Sequence, residues 1–260
     1  MTRETVTMAG TETAVFRLPG EAPSGAPELI WAHGWGHTHA ALLPLAETMR
    51  RVANSRLIDF PGFGASPLPP AAWGTEDYAA AAAEWLASLP PARRVWVGHS
   101  FGCRVGLRLA ARHPDSVAGL FLIAAAGLRQ QRSLPARLRL SVRRSVFRVM
   151  RQMTPEGQAR DQLRERFGSA DYRQAGTMRP IFVKTVSEDL TSTAQQVRCP
   201  TVLLNGDGDT ETPPDMGLRY SKLIPSARFV LLRGFDHWTV LTDGRHQVAQ
   251  RLTEFLEQIA

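Results

Sequence analysis

Residues 95–112 read VWVGHSFGCRVGLRLAAR, and this stretch decides the fold. Its first three residues are apolar, as in a buried strand, and its last ten have the pattern of a helix. Gly98-His99-Ser100-Phe101-Gly102 lies between them and fits G-x-S-x-G. A serine on such a sharp strand-to-helix turn is held in strained backbone with its hydroxyl exposed above the sheet edge, and the flanking glycines avoid clashes there. The pattern therefore predicts Ser100 as a nucleophile.

A histidine and a carboxylate are needed beside this serine, because a hydroxyl is a poor nucleophile until an oriented base removes its proton. His237 follows the last predicted strand, and Asp209 follows the predicted strand 201–204. Both loops belong to the carboxyl edge of a parallel sheet, where ligands bind in open α/β folds. The order of the three residues predicts Ser100 as nucleophile, His237 as base and Asp209 as the acid that orients it.

Other carboxylates compete with Asp209 for this role. Asp236 is disfavoured because a neighbour in sequence rarely reaches the ring of the next residue. Asp207 is the main rival, since it lies on the same loop as Asp209. The competing carboxylates are Asp207, Glu211 and Asp236.

A pair of backbone N–H groups is also required, because the tetrahedral oxyanion of acyl transfer needs hydrogen-bond donors. The loop His33-Gly34-Trp35-Gly36 follows the predicted strand 28–32 and can turn an N–H inward. We predict the N–H groups of Trp35 and Phe101 as the donors. Candidates for lining the pocket are His33, Gly34, His99 and Trp238.

Short apolar runs alternate with helical patterns along the chain, which predicts a mostly parallel eight-stranded sheet flanked by helices. The first two strands read as an antiparallel hairpin. The predicted strands are 5–8, 13–18, 28–32, 55–58, 94–97, 117–123, 201–204 and 228–232. The predicted helices are 42–51, 75–88, 101–112, 214–223 and 245–259.

The charge of the chain is concentrated in one segment. The 260 residues carry a formal net charge of +7, from 31 basic and 24 acidic side chains. Residues 129–173 contain twelve arginines and four acids, a net charge of +8, so the remainder is close to neutral. A strongly basic protein suggests nucleic acid as partner, but this chain has no recognised nucleic-acid motif and its charge lies on one insert. We therefore expect no nucleic-acid partner.

The basic segment belongs to a predicted insert, residues 128–197, which reads as a mainly helical lid. The catalytic core would then comprise residues 1–127 and 198–260. Over residues 134–153, apolar side chains fall on one side of a helix and arginines on the other. Two interpretations stay open, a solvated lid helix or a basic surface for an anionic partner, including a peripheral membrane contact. The arginines of that surface are Arg137, Arg143, Arg144, Arg148 and Arg151.

The composition narrows the remaining classes. No apolar run approaches the roughly 18 to 20 residues that a membrane-spanning helix needs, so an integral membrane protein is not expected. The first ten residues lack the apolar stretch of a secretory signal. Cys103 and Cys199 alone supply neither a disulfide framework nor a zinc site. We expect reduced thiols, a cytoplasmic location, and no metal or cofactor.

Several motifs together resemble the α/β-hydrolase superfamily over about residues 28–259. The resemblance implies an α/β-hydrolase fold with a lid after strand 6, and it places the family's nucleophile, acid and base on Ser100, Asp209 and His237. A serine nucleophile argues against haloalkane dehalogenases and epoxide hydrolases, which use Asp. The motifs are His33-Gly-Trp-Gly, Asp59-Phe-Pro-Gly-Phe-Gly-Ala-Ser, Gly98-His-Ser-Phe-Gly, Gly206-Asp-Gly-Asp209 and Gly234-Phe-Asp-His237.

The activity expected from these residues is that of a cofactor-independent serine hydrolase acting on a carboxylic ester or thioester. An arginine-rich lid over an apolar pocket suits an acyl chain carried by acyl carrier protein or coenzyme A, and the chain is similar to the small lidded pimeloyl carrier-protein methyl ester esterases. Lactonase and carbon–carbon hydrolase activities use the same triad and stay open. A noncatalytic binding module is disfavoured, because a receptor has no need of all three groups.

Overall fold

The computed structural model describes residues 1–23, 25–129, 150 and 170–259. Eight strands form one sheet in the order β1-β2-β4-β3-β5-β6-β7-β8. β1 pairs antiparallel with β2, β2 pairs antiparallel with β4, and the other pairings are parallel. The strands are β1 Thr2–Met8, β2 Thr11–Leu18, β3 Glu28–Ala32, β4 Asn54–Ile58, β5 Arg94–His99, β6 Gly119–Ile123, β7 Thr201–Gly206 and β8 Ala227–Leu232.

Helices cover both faces of this sheet, so the predicted α/β-hydrolase fold is confirmed. Three short 3-10 turns, His39–Ala41, Pro114–Ser116 and Gly176–Met178, supplement them. Within the described ranges the α-helices are α1 Leu43–Thr48, α2 Thr75–Ser88, α3 Phe101–Arg112, α4 Ala170–Gln174, α5 Arg179–Ser187, α6 Thr191–Ala194, α7 Pro214–Leu223 and α8 Arg245–Gln258.

Burial on both faces explains why the central strands are continuous apolar runs. Every residue of β5, β6 and β7 is buried. One apolar cluster joins the sheet to α2, α3 and α7 around Tyr78, Trp85 and Trp96. A second cluster joins the other face to α1 and α8 around Trp31 and Phe255. The apolar stripe predicted on the last helix is thus the surface by which α8 packs on the sheet.

Some predicted element ends were wrong by a few residues. The first helix runs only from Leu43 to Thr48, because the chain then closes a turn in which the Ala53 N–H donates to the Met49 carbonyl at 2.9 Å. β5 continues two residues beyond the prediction, to His99, and pairs with β6 there. β6 begins at Gly119, two residues after the predicted start. The longer β5 carries the chain to the residue before Ser100.

The start of the predicted insert, residues 128–197, meets a segment seven residues before its predicted end, between β6 and β7. The Leu190 N–H donates to the Gly127 carbonyl at 3.0 Å, and Arg129 forms an ion pair with Asp189 at 3.2 Å. We call residues 127–129 and 189–190 the neck. The described part of the insert beyond the neck includes α4 and α5. The five arginines predicted as an anionic-partner surface lie outside the described residues, and so does most of the stripe 134–153.

Candidate active site

Ser100 occupies the sharp turn between β5 and α3. Its backbone has φ +49° and ψ −102°, a conformation that a non-glycine residue adopts only where the surroundings impose it. The Ser100 N–H donates to the Ile123 carbonyl at 3.0 Å, which ties the turn to β6. A Cβ on Gly102 would overlap the Ala32 carbonyl, and one on Gly98 would lie 2.7 Å from the Gly102 carbonyl carbon. The two glycines therefore let the turn pack close enough to hold Ser100 in this conformation.

His237 and Asp209 meet at the carboxyl edge of the sheet, on the loops after β8 and β7. The His237 Nδ1 lies 2.8 Å from Asp209 Oδ2, and both side chains are buried. Asp207 points elsewhere, since its Oδ1 accepts the Gly234 N–H at 2.8 Å. Asp236 accepts the N–H groups of the two residues after His237. Of the acids weighed from the sequence, Asp209 is the one that the structure brings to Nδ1.

Four hydrogen bonds fix the Asp209 carboxylate. Oδ1 accepts the N–H groups of Glu211 and Thr212 at 2.9 and 2.8 Å, and Oδ2 accepts the Thr212 hydroxyl at 2.8 Å besides the His237 ring N–H. Burial would raise the pKa of Asp209, but the bonds from His237 and Thr212 outweigh it and leave the pKa below its ordinary value of 3.8. Asp209 is thus held as a carboxylate that keeps the proton of His237 on Nδ1.

Thr212 is a member of this group that the sequence analysis missed. Its buried hydroxyl oxygen lies 3.2 Å from His237 Nδ1 while its hydrogen is donated to Asp209. The spacing Asp-x-x-Thr is a signal for the local hydrogen bonds, because an aspartate often accepts N–H groups two and three residues ahead. Contact with a histidine 25 residues later has no such local signal.

Glu211, weighed above as a rival acid, lies at the opposite nitrogen of the ring. Its Oε2 is 3.6 Å from His237 Nε2, and its side chain is 57% exposed whereas that of His237 is 5% exposed. Glu211 therefore does not hold the Nδ1 side of the ring, as Asp209 does. It lies on the Nε2 side of the ring instead.

His33 is a buried, neutral residue that shapes the loop after β3. The Phe60 N–H donates to its Nε2 at 3.2 Å, so Nδ1 carries the proton and donates to the Gly34 carbonyl at 2.7 Å. Burial lowers the pKa of His33 from 6.5 to about 4. Its place is therefore beneath the loop, where it orients Gly34.

His99 has a comparable position under His237. It is wholly buried, and its Nε2–H donates to the His237 carbonyl at 3.1 Å. Burial lowers the pKa of His99 well below 6.5, so the ring stays neutral. A Cβ on Gly34 would lie 2.8 Å from His99 Nδ1, so only glycine fits there without a shift. His99 connects the loops that carry Gly34 and His237.

The predicted oxyanion donors, Trp35 and Phe101, lie on adjacent segments. Phe101 is the first residue of α3, where backbone N–H groups have no partner inside the helix. Trp35 lies in the turn in which the His37 N–H donates to the Gly34 carbonyl at 3.3 Å. A Cβ on Gly34 would be 3.5 Å from the Ser100 Cβ, which places this turn directly beside the serine.

Aromatic rings wall the space above these residues. The Trp35 ring lies 5.0 Å from Phe63, 5.7 Å from Phe101 and 5.0 Å from Phe182, measured between ring centroids. Phe182 belongs to α5, so a described helix of the predicted insert contacts the wall of the site. The sequence analysis did not single out Phe182, because nothing in its local pattern shows what α5 packs against. Trp238, a predicted pocket residue, packs against His37 at 4.0 Å.

The described residues contain no group of three or more His, Cys, Asp or Glu side chains arranged to hold a metal ion. None of the described helices is long and apolar enough to cross a membrane.

A strained serine on the turn after β5 and a buried histidine–aspartate pair on the loops after β7 and β8, on this fold, are the elements that serine hydrolases use for acyl transfer. A family model described as the alpha/beta hydrolase fold matches residues 27–244. The chain therefore belongs to the α/β-hydrolase family and is a hydrolase.

Curated relatives include proteins named pimeloyl-[acyl-carrier protein] methyl ester esterase. The chain is 29% identical over 217 residues to a pimeloyl-[acyl-carrier protein] methyl ester esterase of Chromobacterium violaceum, covering 77% of this chain and 83% of that protein. A protein of the same name from Shewanella sp. is 34% identical over 101 residues, covering 38% of this chain and 34% of that protein.

Solved structures share the fold. A membrane phospholipase A described as a bacterial virulence factor superposes with a TM-score of 0.76 at 23% identity, covering 99% of this chain and 86% of that chain. The enol-lactonase of Burkholderia xenovorans superposes with a TM-score of 0.71 at 20% identity, covering 98% of this chain and 100% of that chain.

Proposed function

We propose that this protein is a serine hydrolase that cleaves a carboxylic ester or thioester through Ser100, His237 and Asp209. The 2.8 Å contact between His237 Nδ1 and Asp209 carries the proposal, and the strained backbone of Ser100 at a helix N-terminus supports it. With the proton held on Nδ1, the other ring nitrogen is a base. No step of this chemistry needs a cofactor.

The acylation half begins when His237 Nε2 accepts the Ser100 hydroxyl proton as Oγ attacks the substrate carbonyl carbon. The carbonyl oxygen becomes an oxyanion that accepts the N–H groups of Trp35 and Phe101, which contribute a few kcal/mol of transition-state stabilisation. The Nε2 proton then passes to the leaving oxygen or sulfur as its bond to the carbonyl carbon breaks. The product of this half is an acyl ester on Ser100 and a free alcohol or thiol.

The deacylation half repeats these steps with water. His237 Nε2 removes a proton from a water molecule whose oxygen attacks the acyl carbon. The same two N–H groups hold the second oxyanion, and Nε2 returns the proton to Ser100 Oγ as the carboxylic acid leaves. The buried carboxylate of Asp209 stabilises the imidazolium in both halves.

Replacing Ser100 with Ala tests the proposal. Hydrolysis of a p-nitrophenyl ester is expected to fall at least about a thousandfold, because the covalent step is lost. Labelling by a fluorophosphonate probe should disappear while the variant stays folded. Ser192→Ala, which removes a hydroxyl on α6, is the matched control and should keep both signals. Undiminished labelling of Ser100→Ala would refute the nucleophile.

For the substrate, we propose an acyl ester whose chain is carried by acyl carrier protein or coenzyme A. The curated relatives named for such a substrate support it, as does the +8 charge of residues 129–173, which suits an anionic carrier. Turnover of a carrier-linked methyl ester should weaken with rising salt and with Ala at Arg143, Arg144 and Arg148. Unchanged carrier kinetics would refute the carrier, and a panel of esters, thioesters and lactones would then define the acyl and leaving groups.

A further inference from the structure

The C-terminal end of α5 is bonded to both α2 and α3. Glu188, which follows the last turn of α5, accepts two hydrogen bonds from Thr75: Oε1 accepts the backbone N–H at 2.9 Å, and Oε2 accepts the side-chain hydroxyl. Thr75 is the buried first residue of α2. From α3, the guanidinium of Arg104 donates to the Thr185 carbonyl at 3.0 Å. One end of α5 is therefore held by two helices of the core.

The start of α2 is suited to this carboxylate. Its N-cap is Gly74, which has no side chain to accept an N–H of the first turn. The Thr75 N–H is one of the donors that a helix leaves without an internal partner, and Glu188 supplies its acceptor. A Cβ on Gly74 would lie 2.5 Å from Glu188 Oε1, so a larger residue there would displace the carboxylate. The helix dipole also favours a negative charge at this end of α2.

Lys184, one turn before Glu188, makes a second contact between α5 and the start of α2. Its Nζ lies 2.9 Å from Asp77 Oδ2 and donates to the Ala72 carbonyl at 3.0 Å. The side chains of Lys184 and Asp77 are 51% and 45% exposed, so this ion pair stabilises the contact little. The Glu188 side chain is only 16% exposed, and hydrogen bonds to a shielded carboxylate are stronger. Glu188 is therefore the stronger of the two contacts.

α5 also carries the ring that contacts the wall of the proposed site. Phe182 lies on the buried face of this helix, and its ring centroid is 5.0 Å from that of Trp35. Glu188 follows Phe182 by six residues, which is less than two turns of helix. A helix this short moves as one body, so release of its C-terminal end lets the Phe182 ring move away from Trp35.

We propose that Glu188 is a positioning residue that limits the length of the acyl chain by holding Phe182 against Trp35. The inference rests on the proposed function, because it needs an acyl ester bound beside this wall. It deepens that function by assigning the size limit of the acyl group to a contact between α5 and α2.

p-Nitrophenyl esters of straight-chain acids, from acetate to dodecanoate, test the inference. The longest chain before kcat/KM falls defines the length limit of each variant. In Glu188→Ala the limit should move to a longer chain, with a gain in kcat/KM relative to the acetate of up to about fourfold for each methylene newly accommodated. Ratios within one variant remove any difference in folded fraction. An unchanged or shorter limit would overturn the inference.

A double variant separates positioning from a general structural effect. Because Glu188 acts through Phe182, the length limit of Glu188→Ala combined with Phe182→Ala should equal that of Phe182→Ala alone. A further shift in the double variant would show that Glu188 acts elsewhere and would overturn the inference. So would a Phe182→Ala variant with the same limit as the unmodified protein.

Glu76→Ala is the matched control. Glu76 is an acid in the same first turn of α2, but its ion pairs, at 2.9 and 3.1 Å, are with Arg108 and Arg112 of α3, so the length limit should stay unchanged. Should Glu188→Ala fail to fold, Thr75→Val replaces it, because it removes the hydroxyl that donates to Glu188 and nearly keeps the side-chain volume.

Two outcomes separate the inference from the proposed function. An unchanged length limit in a protein whose hydrolysis depends on Ser100 overturns the inference alone. Absence of Ser100-dependent hydrolysis of every ester in the series would instead overturn the proposed function, and the inference with it.

Discussion

Thr212→Val removes the hydroxyl that links the proposed acid to the proposed base while nearly keeping the volume of the side chain. The hydroxyl donates to Asp209 Oδ2 at 2.8 Å and lies 3.2 Å from His237 Nδ1, and the side chain is buried. The backbone N–H of residue 212 still bonds to Asp209 after the substitution. The change therefore removes one of the two donors at Oδ2 and leaves the loop in place.

The expected loss follows from the type of hydrogen bond. A bond to a charged group contributes about 1.5–3 kcal/mol, and each 1.4 kcal/mol of transition-state stabilisation is about tenfold in rate. If the full free energy of this bond stabilises the transition state in which the imidazolium forms, kcat falls about 10- to 100-fold. KM should change little, because the Thr212 hydroxyl is directed at Asp209 and His237. The assay is steady-state hydrolysis of a p-nitrophenyl ester.

Thr193→Val is the matched control for this experiment. Thr193 is also buried, but its hydroxyl has no hydrogen-bond partner among the described residues. Its replacement should leave kcat unchanged and thermal stability equal or higher, since an unpaired buried hydroxyl is costly. A kcat of Thr212→Val within twofold of the unmodified protein, with the variant fully folded, would refute the positioning role of Thr212.

Two further predictions concern stability and substrate size. His33 is buried and neutral with a pKa of about 4, whereas in the unfolded chain it titrates near 6.5. The unfolded state therefore binds more protons between these two pH values. The free energy of unfolding falls as the pH falls from 6.5 to 4. His33 by itself contributes a loss of about 2 kcal/mol between pH 7 and pH 5, so the fall measured by urea unfolding should be about 2 kcal/mol smaller in His33→Gln; an equal fall in that variant would contradict the assignment. Phe182→Ala removes a ring 5.0 Å from Trp35. The acyl chain length that gives the highest kcat/KM should therefore become longer. Each methylene that the enlarged site accommodates should raise kcat/KM by up to about fourfold. An unchanged chain-length profile for p-nitrophenyl esters would show that Phe182 does not bound the acyl site.

Local patterns explain why the placement of Ser100 could be predicted. The turn between β5 and α3 needs glycine at two positions for close packing, and both glycines lie within the five consecutive residues 98–102. Asp209 and Asp207 could not be separated in the same way, because both follow β7 and their directions depend on the loop. The structure turns Asp207 toward the Gly234 N–H and Asp209 toward His237.

Contacts between distant segments account for what the sequence did not predict. The hydroxyl of Thr212 meets His237 because two loops converge at one sheet edge. Phe182 meets Trp35 because α5 returns over the site, and no periodicity within α5 indicates its partner. The ends of β5 and β6 were misplaced for a related reason, since strand pairing and not the apolar run decides where a ladder begins.

The neck has a consequence for how this enzyme can change. Leu190 and Gly127 are joined by a backbone hydrogen bond, so the chain between them leaves the sheet and returns to the same point. The entropy of closing such a loop grows only slowly with its length, by about 0.6 kcal/mol for each doubling. Loop closure therefore adds little cost when a segment of another length is placed between β6 and β7, and Ser100, Asp209 and His237 all lie outside the loop. The new segment would have to replace the core contacts of Met178 and Ile181. Natural variation and protein engineering can therefore both change the length of the segment between Gly127 and Leu190.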